Sequence, residues 1–286
     1  MNRSNMVRLG RTLVVFAVCS WGILPALRAA DRQASRSGRP EIIAHRGASY
    51  DAPENSLSSV RLAWARNADA VEIDIYLARD KQIVVYHDKT TERIGGRNKA
   101  VWEQTLAELR QLDIGAWKGA QFAGERIPTL QQVLHTVPRG KRLFIEVKAG
   151  VEIVPHLVRS IRDWKQAETS AVVIAFSIDV CRAVKKELPH VPVYWLIGFK
   201  QDKKSGEWSP LLADVLRQAK ACGFEGLDVN DTRLLDQDFV ESVHGAGLEL
   251  YVWTVNDPRR AGRLAAFGVD GITTDRPAWL KRNMLK

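Results

Sequence analysis

The chain has 286 residues, 45% hydrophobic and 26% charged, with Gly 20 and Pro 11, a balance that excludes a disordered or fibrous protein and allows one large domain or two small ones. Lys and Arg number 42 against 33 Asp and Glu, a formal charge of +9, but Arg3, Arg8, Arg11 and Arg28 lie in an opening segment without acids, and +5 remains beyond it. No basic run or aromatic interleaving accompanies that surplus, so a nucleic-acid partner is not expected, because binders of phosphate backbones gather positive charge on one face.

Residues 1–30 read as an export signal. Arg3, Arg8 and Arg11 precede the apolar stretch Leu13 to Leu24, and Pro25 and the small residues Ala29 and Ala30 follow it. The stretch is shorter than the ~20 residues that cross a bilayer. Cleavage near Asp31, no stable membrane anchor afterwards, and a periplasmic or secreted protein are therefore expected. Residues 31–40 (DRQASRSGRP) are polar and aperiodic, a flexible leader, and the folded domain is expected over residues 41–286. Cys181 and Cys222 remain beyond the signal, and a disulfide and two buried thiols are both open to them.

From Glu41 short β-branched runs alternate with stretches of helical periodicity, the pattern of parallel strands joined by crossover helices. The runs predict strands at Ile42 to His45, Ala70 to Leu77, Gln82 to His87, Leu143 to Lys148, Ala171 to Ser177, Val193 to Ile197, Gly226 to Val229, Leu248 to Val255 and Gly271 to Thr274. Helices are expected at Ser56 to Arg66, Leu130 to Thr136, Ile153 to Gln166, Asp179 to Leu188, Pro210 to Ala221, Asp236 to Gly245 and Pro258 to Phe267. Only Ala78 to Lys81 separate the second and third runs. A parallel crossover needs about a dozen residues, so these two form an antiparallel hairpin. Eight parallel strands with intervening helices then predict an α/β fold of the closed (β/α)8, TIM-type barrel. An open doubly wound sheet would show a Gly-rich phosphate loop after its first strand, and none is present. Lys89 to Arg126, with a helical stretch near Gln104 to Gln111, is too long for a simple connection. It is expected to form a small capping insertion at the barrel mouth, where the hairpin emerges.

Reacting groups of barrels sit at the carboxyl ends of the strands, and polar residues of this chain fall there. They are His45 and Arg46, Glu72 and Asp74, His87, Glu146 and Lys148, and Trp253 with Asn256. Residues two apart on a strand share a face, so Glu72 points with Asp74 and Glu146 with Lys148. Three carboxylates can meet. Burying them together costs on the order of several kcal/mol per charge unless cations neutralise them. Oxygen donors without nearby Cys or clustered His favour one hard divalent cation, Ca²⁺ or Mg²⁺, over Zn²⁺. A structural ion-pair network among Glu72, Asp74, Arg46 and Lys148 is the alternative. Two His beside a hard cation suit acid–base work because imidazole titrates near neutrality. Arg46 and Lys148 would hold an anion, and the set favours cleavage of a phosphate ester. His135, His156, His190 and His244 are read as core residues, and Trp102, Trp117, Trp164, Trp195, Trp208 and Trp279 as packing.

In order along the chain, His45-Arg46-Gly47, Pro53-Glu54-Asn55-Ser56, Glu72-Ile73-Asp74, His87-Asp88, Pro128-Thr129-Leu130, Glu146-Val147-Lys148, Trp253-Thr254-Val255-Asn256 and Gly268 to Pro277 (GVDGITTDRP) resemble the motifs of the glycerophosphodiester phosphodiesterases. Any one motif is weak, and the ordered set is specific. The resemblance implies that Glu72, Asp74 and Glu146 ligate the cation and that His45 and His87 are the acid–base pair. It implies that a glycerol hydroxyl attacks phosphorus and expels the alcohol, leaving a cyclic phosphate that water opens. Arg46 and Lys148 would bind phosphate oxygens, Glu54 would orient the site or approach the metal, and Trp253 would wall the glycerol pocket. Gly268 to Pro277 would close the barrel. The expected activity is exported, metal-dependent hydrolysis of small glycerophosphodiesters such as glycerophosphocholine to an alcohol and sn-glycerol 3-phosphate. A lipid phosphodiesterase resembling lysophospholipase D or sphingomyelinase D is the alternative, and a non-catalytic head-group binder is disfavoured by the paired His. No feature points to an oligomeric state.

Overall fold

The computed structural model describes residues 38–284, and the expected export signal and most of the leader lie outside them. The strands are β1 (Glu41–Ala44), β2 (Ala70–Leu77), β3 (Ile83–Val85), β4 (Arg142–Val147), β5 (Ala171–Ala175), β6 (Val193–Ile197), β7 (Lys200–Gln201), β8 (Trp208–Ser209), β9 (Gly226–Asn230), β10 (Glu249–Trp253) and β11 (Gly271–Thr274), all but β7 and β8 arising from the nine expected β-branched runs. Strands β1, β2, β4, β5, β6, β9, β10 and β11 pair in parallel in that order. β11 returns to β1 and closes an eight-stranded barrel. β3 runs antiparallel to β2, with Ile75 opposite Val85, as the four-residue link requires.

Helices α1 (Leu57–Ala65), α2 (Leu130–Leu134), α3 (Val154–Arg162), α4 (Ile178–Glu187), α5 (Leu212–Ala221), α6 (Gln237–Gly245), α7 (Pro258–Phe267) and α8 (Pro277–Asn283) follow the barrel strands. Side-chain caps start several of them. Ser56, Thr129, Ser177, Asp236 and Asp257 each accept a hydrogen bond from the backbone amide three residues on, satisfying a donor that the first turn leaves free. The Ser177 cap also explains why β5 stops at Ala175 and not at Ser177. Two elements differ from expectation. The connection after β6 carries the small β7–β8 hairpin, and Gly268 to Pro277 does more than close the barrel, because Pro277 sits in the first turn of α8, where its missing amide costs nothing. No helix among the described residues is long and apolar enough to cross a membrane.

β2 is buried along its whole length, including Glu72 at 3% and Asp74 at 1% exposure, because a barrel strand faces helices on one side and the interior on the other. Ile43, Phe144, Tyr194 and Tyr251 fill the interior. Below them Arg142 donates to Glu41 Oε2 (2.8 Å), Tyr251 OH (2.9 Å) and Tyr194 OH (2.9 Å). Glu41 and Arg142 begin their strands, so this plug seals the amino end of the barrel and leaves the carboxyl end for chemistry. The insertion has its own small core, in which Val101, Leu109, Leu112 and Ile114 pack with Tyr76 and Tyr86 of the hairpin. Trp102 and Trp117, read as packing residues, remain 49% and 48% exposed. Cys181 and Cys222 are free thiols.

Candidate active site

A cavity of about 260 Å³ opens at the carboxyl ends of the strands. From the β1–β4 half it is lined by His45, Arg46, Glu72, His87, Glu146 and Lys148, and from the β5–β11 half by Ile174, Phe176, Leu196, Asp228, Trp253, Thr254 and Thr273. Phe176 meets Trp253 edge to face at 5.8 Å. None of His135, His156, His190 and His244 lines it, and they are not core residues: His135 and His190 are exposed, and His244 pairs with Asp270 at 2.9 Å.

Parity and register bring the carboxylates together. Glu72 and Asp74 share a face of β2, and Asp74 lies opposite Glu146 on β4. One oxygen of each of Glu72, Asp74 and Glu146 lies within 4.8 Å of the others. Burial, then the neighbouring Asp74 and Glu146 charges, hold the Glu72 carboxyl well above its usual range. Burial and Asp74 push Glu146 up to about 7. For Asp74 burial acts in the same sense, but Arg46, Lys148 and His87 outweigh it and lower the pKa.

The ion-pair network that the sequence left open accounts for part of this charge. Arg46 Nε lies 3.3 Å from Asp74 Oδ2, and Lys148 Nζ lies 2.8 Å from Glu146 Oε1 and 3.6 Å from Asp74 Oδ1. It does not reach Glu72 Oε1, which is buried and has no hydrogen-bond partner, while Oε2 accepts the Arg46 amide at 2.9 Å. A buried bare carboxylate oxygen facing two further carboxylates is a donor set suited to a hard divalent cation.

Each histidine is anchored at one ring nitrogen. His45 Nδ1 lies 2.7 Å from Asp275 Oδ1, and Asp275 also accepts from Ser49 Oγ (3.1 Å) and Asn256 Nδ2 (2.6 Å). Burial raises the Asp275 pKa, but these bonds, His45 foremost, bring it down to about 2. An ionised partner puts the hydrogen on Nδ1 and leaves Nε2 for substrate. His87 Nδ1 lies 2.6 Å from Asp88 Oδ1, itself held by Arg93 Nε at 2.5 Å. Burial, with Arg46 and Lys148, lowers the His87 pKa against the pull of Asp74 and Asp88, so the ring is neutral near pH 7.

The turn after β1 is tightly specified. Arg46 has φ 53° and Gly47 φ 81°, and a Cβ on Gly47 would stand 2.5 Å from the Ser59 backbone, so only glycine fits. Asn55, also at positive φ, clasps Asp74 twice, with Nδ2 donating to Oδ2 (2.8 Å) and Oδ1 accepting the Asp74 amide (3.1 Å). Glu54 lies behind the cavity wall, where Oε1 accepts from Arg46 (2.9 Å) and Arg93 (2.7 Å). Through Arg93 the insertion touches the site without lining it. Sequence reasoning assigned no role to Asn55, Asp88, Asp275 or Asp228. The first three stand within quoted motifs, which was the available signal, and Asp228 had only its place near a strand end.

An acid-rich, cation-flanked cavity with two anchored imidazoles at the mouth of a (β/α)8 barrel defines a phosphoric diester hydrolase. The glycerophosphoryl diester phosphodiesterase family pattern matches residues 45–279, and the chain belongs to that family. It is 32% identical over 246 residues to the glycerophosphodiester phosphodiesterase of Caldanaerobacter subterraneus subsp. tengcongensis, covering 84% of this chain and 95% of the relative. Against the glycerophosphodiester phosphodiesterase of Bacillus subtilis the identity is 28% over 292 residues, covering 95% and 97%. Among solved structures, a phosphodiesterase of Oleispira antarctica in complex with the product sn-glycerol-3-phosphate superposes with a TM-score of 0.77 at 26% identity, covering 87% of this chain and 98% of the other.

Proposed function

We propose that the protein is an exported, metal-dependent enzyme that cleaves small glycerophosphodiesters, glycerophosphocholine among them, into an alcohol and sn-glycerol 3-phosphate. The observation that carries this reading is the bare, buried Oε1 of Glu72 where three carboxylates meet beside two anchored histidines. The product bound to the Oleispira relative supports the substrate class. Export rests on the basic and then apolar pattern of residues 1–30.

Glu72, Asp74 and Glu146 would hold one Ca²⁺ or Mg²⁺, which supplies Lewis-acid polarisation of a phosphoryl oxygen. Arg46 and Lys148 bind the remaining phosphate oxygens, and Glu54 keeps Arg46 in place. Trp253 walls the glycerol side. His87, neutral near pH 7, takes the hydrogen of the attacking glycerol hydroxyl as its oxygen bonds to phosphorus, and the cyclic phosphate that results is opened by water to sn-glycerol 3-phosphate. His45, when its ring carries a hydrogen on each nitrogen with ionised Asp275 accepting the one on Nδ1, gives the Nε2 hydrogen to the departing alcohol oxygen, so the proton count balances.

The direct test is release of glycerol 3-phosphate from glycerophosphocholine after EDTA treatment and again after Ca²⁺ or Mg²⁺ is restored. Turnover that returns with the cation is the expected result. Product from lysophosphatidylcholine and none from glycerophosphocholine would move the assignment to lysolipids.

Asn55→Ala, which frees Asp74 to rotate, is expected to weaken cation binding about 10- to 100-fold, as losses of groups that orient a ligand do. Titration calorimetry reads this, and unchanged affinity removes Asn55 from the role.

Proton competition adds a pH dependence. The Glu146 carboxyl moves from 4.5 in the unfolded chain to about 7 in the metal-free fold, and Glu72 moves the same way. The fold holds the extra protons, so their contribution is fully present below pH 4.5 and is lost as pH rises through about 7, on the order of a few kcal/mol. Chelated protein should therefore lose Tm across that window, and added cation should raise Tm more at about pH 7.5 than at about pH 5.5. A cation-induced rise independent of pH would contradict the cluster as the binding site.

A further inference from the structure

Asp228 stands on the cavity wall opposite the cation-binding carboxylates, and the protein leaves it unsatisfied. β9 lies three strands from β4 around the barrel. The residue is 2% exposed, it lines the cavity, and its Oδ1 has no hydrogen-bond partner. Roughly nine in ten buried polar atoms are paired, so each exception requires a cause. Among the described residues the other unpaired side-chain atoms have one or lie elsewhere. Arg46 Nε is 3.3 Å from Asp74, Glu72 Oε1 belongs to the carboxylate cluster, and Tyr86 and Ser170 do not line the cavity.

Asp228 lies outside the group of mutually close carboxylates formed by Glu72, Asp74 and Glu146. The two cations of the cavity, Arg46 and Lys148, pair instead with Glu54, Asp74 and Glu146. The cavity neighbours of Asp228 on β5, β6 and β10 are Ile174, Leu196 and Trp253, Leu196 being its partner in register. Trp253 Nε1 donates to the Asp228 carbonyl at 3.3 Å, which fixes the indole beside it. Burial, with the Glu146 charge adding to it, holds the carboxyl well above its usual range. Its unpaired Oδ1 can accept from a hydroxyl, and a carboxyl that holds its proton offers a donor as well. That complements an alcohol hydroxyl, which also donates and accepts, whereas a cationic head group calls for an ionised partner.

We propose that Asp228 hydrogen-bonds a hydroxyl of the substrate's glycerol arm and so selects phosphodiesters whose glycerol carries free hydroxyls. This rests on the phosphodiester reading above and adds to it a specificity residue outside the acid–base and cation-binding sets. A site built to bond a hydroxyl rejects the analogue without one, by as much as about 10⁴-fold in favourable cases.

The test compares sn-glycerol 3-phosphate with n-propyl phosphate, which keeps the three-carbon arm and the phosphate and lacks the hydroxyls, on full-length, cation-loaded protein. Wild type should bind glycerol 3-phosphate about tenfold more tightly or better, the effect of one hydrogen bond. Asp228→Leu should lose that preference, weakening glycerol 3-phosphate about tenfold while n-propyl phosphate stays within about twofold. Asp228→Asn, which keeps a neutral donor and acceptor, should retain it. Removing an unpaired buried acid is expected to leave the fold intact, and Asp228→Ala serves in the same assay if Leu crowds Leu196. A Leu or Ala variant that weakens both ligands equally, or keeps the preference, overturns the assignment. Wild-type turnover of glycerophosphocholine is measured beside it. Turnover with an unmoved preference overturns Asp228 alone, and absence of turnover with either cation overturns the function reading and this inference with it.

Discussion

Glu72→Ala is expected to lower kcat/KM by about 10³-fold or more, equivalent to about 4 kcal/mol of transition-state stabilisation. The side chain has two tasks that no neighbour can assume. Its Oε1 is the bare oxygen of the carboxylate cluster, and Oε2 accepts the amide of Arg46, a residue held at positive φ. Alanine removes both, and Glu72→Gln separates them by keeping an acceptor for the amide while removing the charge. Cation affinity measured by calorimetry should fall in both variants, and activity at saturating Ca²⁺ or Mg²⁺ should recover in part for Gln only. A Gln variant with full activity and undiminished cation affinity would remove Glu72 from the centre.

His87→Ala is expected to cost about 10²- to 10⁴-fold in turnover, the usual worth of a positioned acid or base, with cation affinity unchanged within a few-fold. That contrast with Glu72 separates proton transfer from metal binding. Added imidazole should restore part of the activity to His87→Ala and none to Glu72→Ala. Because burial lowers the His87 pKa beneath 6.5, the acid limb of kcat/KM, measured with cation saturating at every pH, should lie below pH 6.5 and disappear in the alanine variant. An acid limb that survives unchanged would show that another group takes the proton.

Much of this site is visible in the sequence because a strand alternates its faces. Glu72 and Asp74, and Glu146 and Lys148, share faces by parity alone, and a four-residue link forces the hairpin that delivers His87. The partners of the histidines are another matter. Asp275 lies 230 residues from His45, and the two meet only because β11 returns to β1 when the barrel closes. Asn55 sits in a recognisable motif, but its double clasp on Asp74 depends on a backbone turn that spacing does not encode. Element ends shifted by a few residues where a cap intervened, as Ser177 did at β5.

By itself the sequence determined the order and period of the elements, the parallel barrel they imply, and which residue types stand at strand ends, because these follow from local chain geometry and hydrophobic alternation. Only the tertiary structure decided which of those residues touch, that Glu54 serves Arg46 from behind, that the insertion flanks the cavity without lining it, and that Asp228 is left bare on the far wall. Burial and pairing between residues far apart in the chain are properties of the closed barrel, and they set the charge each group carries.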